Sequence, residues 1–154
     1  MDEGKIRLLL AEFEKSKHYE EWRPRRKERH RYNHGWIDPD NVKTISDDEL
    51  RDKFVEYYNG GEGRQGLNRI WRDRIIRDVL KFREILVYLL DEKIPIEKRF
   101  FNVVSSTGKK HIEGVGKALA SAFLMSYNLD KYCIWNNKTE MGFNVLGWGS
   151  PYQS

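Results

Sequence analysis

The sequence has little cysteine and no long apolar run. Cys133 is its only cysteine, which excludes an intrachain disulfide and any metal site built from several thiolates. Its longest apolar stretch, within residues 83–90, is far too short to span a bilayer. The first residues do not form the pattern of a signal peptide. We therefore expect a cytoplasmic protein that does not associate with membranes.

The composition is that of a folded chain, with 39% hydrophobic and 13% aromatic residues in 154. We expect residues 1–154 to form one domain, which could be part of a longer chain. The net charge is only +4, but its distribution is uneven. Residues 23–34 carry six basic side chains and one acidic one, whereas residues 35–63 carry three basic and eight acidic ones. Such blocks indicate one face suited to a polyanion.

Apolar periodicity predicts a helical protein. Ser46 followed by Glu49 forms a capping box at the start of one helix, which the glycines at 60–63 end. The most regular pattern predicts one long helix with ion pairs from Arg69 to Asp73 and from Arg74 to Asp78. Only residues 132–135 could be a strand, so the predicted class is all-α. The predicted helices cover about 2–22, 46–59, 66–93, 96–106, 117–127 and 138–146.

Residues 23–36 form a basic stretch that follows the first predicted helix, which should end near Pro24. One interpretation is a solvated loop; the other is an arm whose guanidinium groups contact phosphates while its aromatic rings stack on unpaired bases. His30 and His34 have no carboxylate or thiol at ligand spacing, so we do not predict a metal there. The candidate phosphate contacts are Arg25, Arg26, Arg29 and Arg31, interleaved with Tyr32 and Trp36.

Residues 112–124, "IEGVGKALASAFL", place two glycines immediately before a helix of small residues. Glycines permit positive φ and close backbone approach, and the first N–H groups of a helix attract anions. The same pattern could also be a tight turn that only begins a core helix. The predicted backbone-binding residues are Gly114, Val115 and Gly116, with Lys117, Lys109 and Lys110 around them.

Residues 96–148 resemble the helix-hairpin-helix motif of the DNA glycosylase superfamily. The resemblance implies a glycosylase-like helical fold in which the hairpin, at about 96–127, grips DNA phosphates, often with a bound monovalent cation. Family members place a catalytic Asp about twenty residues after the last hairpin glycine, and bifunctional members place a Lys two residues after it. These positions are Asn136 and Ala118 in this chain. A neutral amide cannot stabilise the developing positive charge, so we expect DNA binding without catalysis.

The stretch "LDKYCIWNNKTEMGFNVLGW" also resembles the end of glycosylase-like domains in prokaryotic defence proteins. These include the DNA-recognition part of modification-dependent, McrBC-type restriction subunits. The resemblance implies a targeting module for a modified base. Because the sequence has no Walker-type phosphate loop, the NTPase and nuclease would lie on another chain or beyond Ser154.

A flipped base needs aromatic walls and polar edges. Trp135, Asn136 and Asn137 lie where the family keeps its active site, and amides can donate to and accept from a base edge. Together with Trp36 they are the predicted base-reading residues. Alternatively, Trp135 belongs to the core and the two asparagines cap the next helix, with Asn137 as the preferred capping residue. Two rival functions remain: a glycosylase with an unusual acid, the nearest being Asp130 and Glu140, and a protein-interaction domain.

Overall fold

The computed structural model describes residues 3–60 and 69–147, which form nine α-helices and no strand. The predicted all-α class is therefore confirmed for these ranges. Residues 132–135 are coil rather than a strand. The helices are α1 (Glu3–Glu14), α2 (Lys17–His34), α3 (Pro39–Thr44), α4 (Asp47–Gly60), α5 (Arg69–Ile76), α6 (Val79–Leu90), α7 (Ile96–Val104), α8 (Lys117–Tyr127) and α9 (Asn137–Val145).

The predicted first helix is wrong in its end point, because the break comes before Pro24. Ser16 begins a new helix by accepting a hydrogen bond from the Tyr19 N–H at 3.1 Å. Pro24 lies inside α2, where it removes a single helical N–H. The basic stretch is thus helical, not a loop or an extended arm. Contacts of its second half with the rest of the protein, such as Arg26 with Met125, hold the helix beyond the proline.

The predicted long helix is also wrong, because it consists of α5 and α6 with a break at Arg77 and Asp78. The Asp78 carboxylate caps α6 by accepting from the Lys81 N–H at 3.0 Å. Asp78 therefore does not pair with Arg74, whose ion-pair partner is Glu113 at 3.7 Å. Asp73 was predicted to pair with Arg69. Its carboxylate instead binds the neighbouring Arg72 at 2.7 Å.

Other predicted boundaries agree with the structure. The Ser46 hydroxyl accepts from the Glu49 N–H at 3.2 Å at the start of α4. Helix α8 begins at Lys117, directly after the glycines, and ends at Tyr127, as predicted. The predicted turn at 61–63, the chain end at 148–154 and the Arg29 side chain lie outside the described residues.

Helices α3 to α8 enclose an apolar core in which aromatic rings meet. Phe54 lies 4.7 Å from Phe82 between ring centroids, and Tyr57 stacks on Phe123 at 5.3 Å. Nearly every residue of α8 is buried, so this helix is the centre of the fold. Among the described helices, none has the length and apolar character needed to cross a bilayer.

Candidate nucleic-acid interface

The link between α7 and α8, residues 105–116, turns back on itself; we call it the hairpin. Its tip is a turn in which the Val115 N–H donates to the Ile112 carbonyl at 3.0 Å. Gly114 adopts a φ of +98°, which side chains disfavour, and a Cβ there would lie 3.1 Å from both Trp71 and Ile75 of α5. Val115 is buried in the core. The tip therefore rests directly on α5.

The first half of the hairpin lies against the end of α7. A Cβ on Gly108 would come within 2.3 Å of the Asn102 carbonyl oxygen, so only glycine fits this position without movement of the backbone. The same carbonyl accepts the Lys110 N–H at 3.0 Å, and the Asn102 side chain donates to the Tyr88 hydroxyl at 2.8 Å. The His111 ring nitrogen Nδ1 lies 2.9 Å from the Val103 carbonyl oxygen. These contacts fix the hairpin on the fold.

The hairpin ends at the amino terminus of α8, which has no side-chain cap. Gly116 is the N-cap residue, with extended backbone angles of −92° and −178°, and it offers no group for the helix N–H donors. A Cβ at this position would meet nothing within 4 Å. The N–H groups of Lys117 and Ala118 lie in the first turn, where no carbonyl of the helix can accept them. An anion can approach this helix end from solvent.

Of the three lysines predicted around the hairpin, two are engaged with carboxylates. Lys110 forms an ion pair with Glu84, and Lys117 forms one with Glu140. Lys109 is exposed to solvent. A phosphate at the hairpin would therefore compete with Glu84 and Glu140 for two of the cations, while Lys109 offers its charge outward.

Glu140, considered in the sequence only as a possible replacement acid, joins the hairpin to the segment before α9. It accepts hydrogen bonds from the Lys117 ammonium and from the Trp135 indole N–H, the latter at 2.9 Å. The hydrogen bond from Lys117, and to a smaller extent the one from Trp135, lowers the pKa of the Glu140 carboxyl. The only sequence signal was its position four residues after Asn136. Its consequence is a carboxylate held in the ionised form beside the α8 amino terminus.

Asn136, and not Asn137, caps α9. Its side-chain oxygen accepts the N–H groups of Lys138 at 3.0 Å and Thr139 at 3.1 Å. Asn137 is the first residue of the helix and is exposed. The prediction that assigned the cap to Asn137 is therefore wrong. The cap engages the oxygen of Asn136, which leaves its amide NH₂ as the group able to donate to a ligand.

Trp135 is half-buried beside a shallow groove of about 230 Å³ next to α8. Its backbone N–H donates to the Ser121 hydroxyl at 2.7 Å, and its ring lies 5.2 Å from that of Phe143. Ser121 was read only as a small helix residue, yet it fixes the position of Trp135. The groove is lined by Ile96, Phe100, Ser121, Leu124, Lys131, Tyr132, Cys133 and Trp135.

A buried arginine holds the other end of this segment. Arg99 of α7 is 2% exposed and donates to the Leu89 carbonyl at 2.6 Å and to the Tyr132 hydroxyl at 2.5 Å. Tyr132 in turn donates to Glu92 at 2.8 Å. Sequence reasoning missed Arg99, because a single arginine in an amphipathic helix gives no sign of burial.

Trp36 does not belong to any surface. It is 6% exposed, its ring packs at 5.7 Å on Tyr57, and its indole N–H donates to the Asn33 side chain at 3.3 Å. Its prediction as a base-reading residue is therefore corrected to a core role. Its position at the end of the basic stretch suggested an exposed base-reading residue, although the apolar Ile37 follows it directly.

The basic residues of α2 lie away from the hairpin. Arg26 donates to the Met125 sulfur at 2.7 Å and lies over the Trp22 ring, while Arg25 and Arg31 are exposed. Met125 is near the carboxyl end of α8, whereas the hairpin is at its amino end. Met125 follows Lys117 by eight residues in α8, so the Arg26 contact and the hairpin end are about 12 Å apart along this helix.

Two expectations from the sequence concern bound metal ions. His30 and His34 stack at 5.5 Å, and within residues 3–60 and 69–147 no three His, Cys, Asp or Glu side chains group as metal ligands do. For the monovalent cation that the resemblance implies, the Ile112 and Gly116 carbonyls each accept one backbone N–H. Since a carbonyl has two lone pairs, the turn retains acceptor capacity for a cation. The cation stays a prediction.

Comparison with known proteins finds no match. No family model, no curated protein and no solved structure is significantly similar to this chain.

Proposed function

We propose that this protein is a DNA-binding module whose hairpin and α8 amino terminus contact the phosphate backbone. One observation carries the proposal: an uncapped helix end, open to solvent at Gly116, is fixed on the fold by a hairpin that two glycines bring against α5 and α7. Backbone N–H groups at such an end favour a phosphate oxygen, and they read no sequence. Lys109 and the exposed arginines of α2 add nonspecific attraction.

The groove beside Trp135 is the proposed place for a base taken out of the stack. It has an aromatic wall in Trp135 and Tyr132, and the Asn136 amide lies at the residue after Trp135. An aromatic wall and an amide donor suit recognition of a modified base. On this proposal the protein directs a restriction or defence system, whose NTPase and nuclease reside elsewhere, to modified DNA.

The proposed module does not break the glycosidic bond. The residue in the position of the family's Asp is Asn136, which caps α9 and bears no charge. Ala118 stands in the position of the family's lysine and has no nucleophile. The proposed role of these positions is therefore binding.

The experiment measures binding of short duplexes, unmodified or carrying methylated or damaged bases, across a salt series. We expect affinity to fall steeply with salt and one modified duplex to bind best, with that preference reduced by Asn136→Ala. A common affinity for all duplexes would support backbone contact and remove the base-reading role. Absence of binding at low salt would overturn the proposal.

Gly116 offers a sharper variant, because its position accepts a side chain without contact. In Gly116→Asp the carboxylate would cap the α8 N–H groups, so stability should stay the same or rise by a few tenths of a kcal/mol. The same carboxylate would occupy the donors and repel phosphate, so DNA affinity should fall at least about tenfold. Gly116→Asn is the matched neutral control. If Gly116→Asp left binding unchanged, the α8 amino terminus would not be the phosphate site.

A second candidate, a glycosylase with an unusual acid, is favoured by one observation: Glu140 is ionised and lies one turn after Asn136. Its two hydrogen bonds to Lys117 and Trp135 reduce its capacity to stabilise a positive charge. Base release from a lesion-bearing duplex, abolished by Glu140→Gln, would establish this activity in place of the binding role.

A further inference from the structure

Helix α1 carries a stripe of apolar side chains that the rest of the described chain leaves open. Ile6, Leu9, Leu10 and Phe13 recur at the spacing that places them on one helix face. Leu9, Leu10 and Phe13 are between 42% and 56% exposed. Helix α1 packs on its neighbour α2, where the Phe13 ring lies 5.3 Å from Tyr19. A contiguous exposed stripe of this kind indicates an interaction surface.

The charges beside the stripe are divided along the helix. Lys5 and Arg7 lie in the first half of α1, and Glu12 and Glu14 lie in the second half. Lys5 and Glu12 are seven residues apart, which is close to two helical turns, so they border the same edge of the stripe. Arg7 and Glu14 have the same separation and border the other edge. Each edge therefore runs from a positive to a negative charge.

We propose that a second copy of this chain packs on this stripe, with the two α1 helices antiparallel about a two-fold axis. In that arrangement each edge of one helix faces the same edge of its partner in the reverse direction. Lys5 then lies near Glu12 of the second copy, and Arg7 lies near Glu14, while the leucines and Phe13 meet between them. A parallel arrangement would place like charges opposite one another. The charge pattern thus selects the occupant and its direction.

The proposal does not depend on DNA binding, since α1 contributes no residue to the hairpin or to the groove beside Trp135. Two short helices bury less area than a standard interface does, so the dimer should be weak and should dissociate on dilution. Closed two-fold symmetry limits the assembly to two copies.

The test is sedimentation equilibrium over a micromolar dilution series. We expect a monomer–dimer equilibrium for the unaltered chain. Lys5→Glu with Arg7→Glu should raise the dissociation constant at least about tenfold, because attraction on both edges becomes repulsion. Adding Glu12→Lys and Glu14→Lys to the same chain should restore dimerisation, since the edge charges are then exchanged and not removed. Restoration by exchange is expected only for antiparallel helices.

Apolar variants give an independent measurement. Leu9→Ser with Leu10→Ser should abolish the dimer, whereas Leu80→Ser, at an exposed leucine of α6, should leave it intact. Circular dichroism on each variant separates loss of association from loss of folding. A monomer at every concentration, assembly beyond two copies, or equal effects of the α1 and α6 variants would overturn the proposal.

Discussion

The body of the molecule, α3 to α8, and its N-terminal helices, α1 and α2, bury their apolar side chains to different extents. Phe123 in α8 is 2% exposed, whereas Phe13 in α1 is 42% exposed. The hairpin belongs to the body, where backbone contacts at Gly108 and Gly114 determine its position. The basic residues of α2 belong to the periphery and are placed by a few side-chain contacts. Charge alone therefore does not show which basic segment the fold holds in a defined position, but packing does.

The largest contrast should appear in a matched pair of phenylalanine truncations. Phe123→Ala removes a ring that packs on Phe54, Tyr57 and Phe82, so we expect a loss of about 3–5 kcal/mol in the free energy of unfolding. Phe13→Ala should cost less than about 1 kcal/mol. Urea unfolding at a concentration too low for self-association measures both. Similar losses would contradict the division into body and periphery.

The glycines of the hairpin provide the next contrast. Gly108→Ala places a methyl group against the Asn102 carbonyl, where only the backbone can move, and should cost about 1–3 kcal/mol. Gly142→Ala in α9 is the matched control, because its added methyl meets nothing and alanine favours helix. The control should gain about 0.5–1 kcal/mol, measured by the same unfolding experiment. Equal signs for the two variants would indicate that the hairpin is not closely packed.

Charge reversals can show whether hairpin and α2 contact the same DNA. Lys109→Glu and Arg31→Glu alter one exposed cation in each region. If both regions contact one duplex, each variant should weaken binding uniformly across sequences and reduce the salt slope by about one. A titration of duplex at several salt concentrations measures this. An unchanged slope for Arg31→Glu would limit the interface to the hairpin.

The smallest expected effect concerns acid stability. The hydrogen bond from Lys117, and to a smaller extent the one from Trp135, lowers the folded-state pKa of Glu140. The carboxylate therefore stabilises the folded state at pH values above the ordinary glutamate pKa. That contribution is lost as the pH falls through the lowered folded-state pKa. Glu140→Gln should therefore flatten the acid limb of Tm against pH and leave its shape near neutrality unchanged. An identical acid limb in both proteins would mean that the ion pair adds no stability.

The parts of the fold that were predictable have local signals. Glycines before Lys117 marked the start of α8, and Ser46 with Glu49 marked the start of α4, because caps are formed by adjacent residues. The break at Asp78 was not predictable from periodicity. Helices α5 and α6, on either side of Asp78, both bury apolar residues in the same core, so the apolar pattern continues across the break. An aspartate is common at helix caps and on helix surfaces, so Asp78 did not mark the break either.

The candidate site was predictable only in part, for a related reason. Gly114 was identified because its positive φ is a local property, whereas Gly108, which packs against the Asn102 carbonyl, was missed. The pairing of Lys117 with Glu140 and the burial of Trp36 depend on which helices meet, and neither has a signature in neighbouring residues. Burial of Arg99 is of the same kind.

The contact of Gly114 with Trp71 places a fluorescent side chain beside the hairpin. A Cβ at Gly114 would lie 3.1 Å from the Trp71 indole, so the ring borders the turn that a phosphate would approach. Of the five tryptophans, Trp36 is enclosed by the core and insulated from such an event. Any ligand that shifts the turn would change the surroundings of Trp71 and so alter its emission, without an attached label.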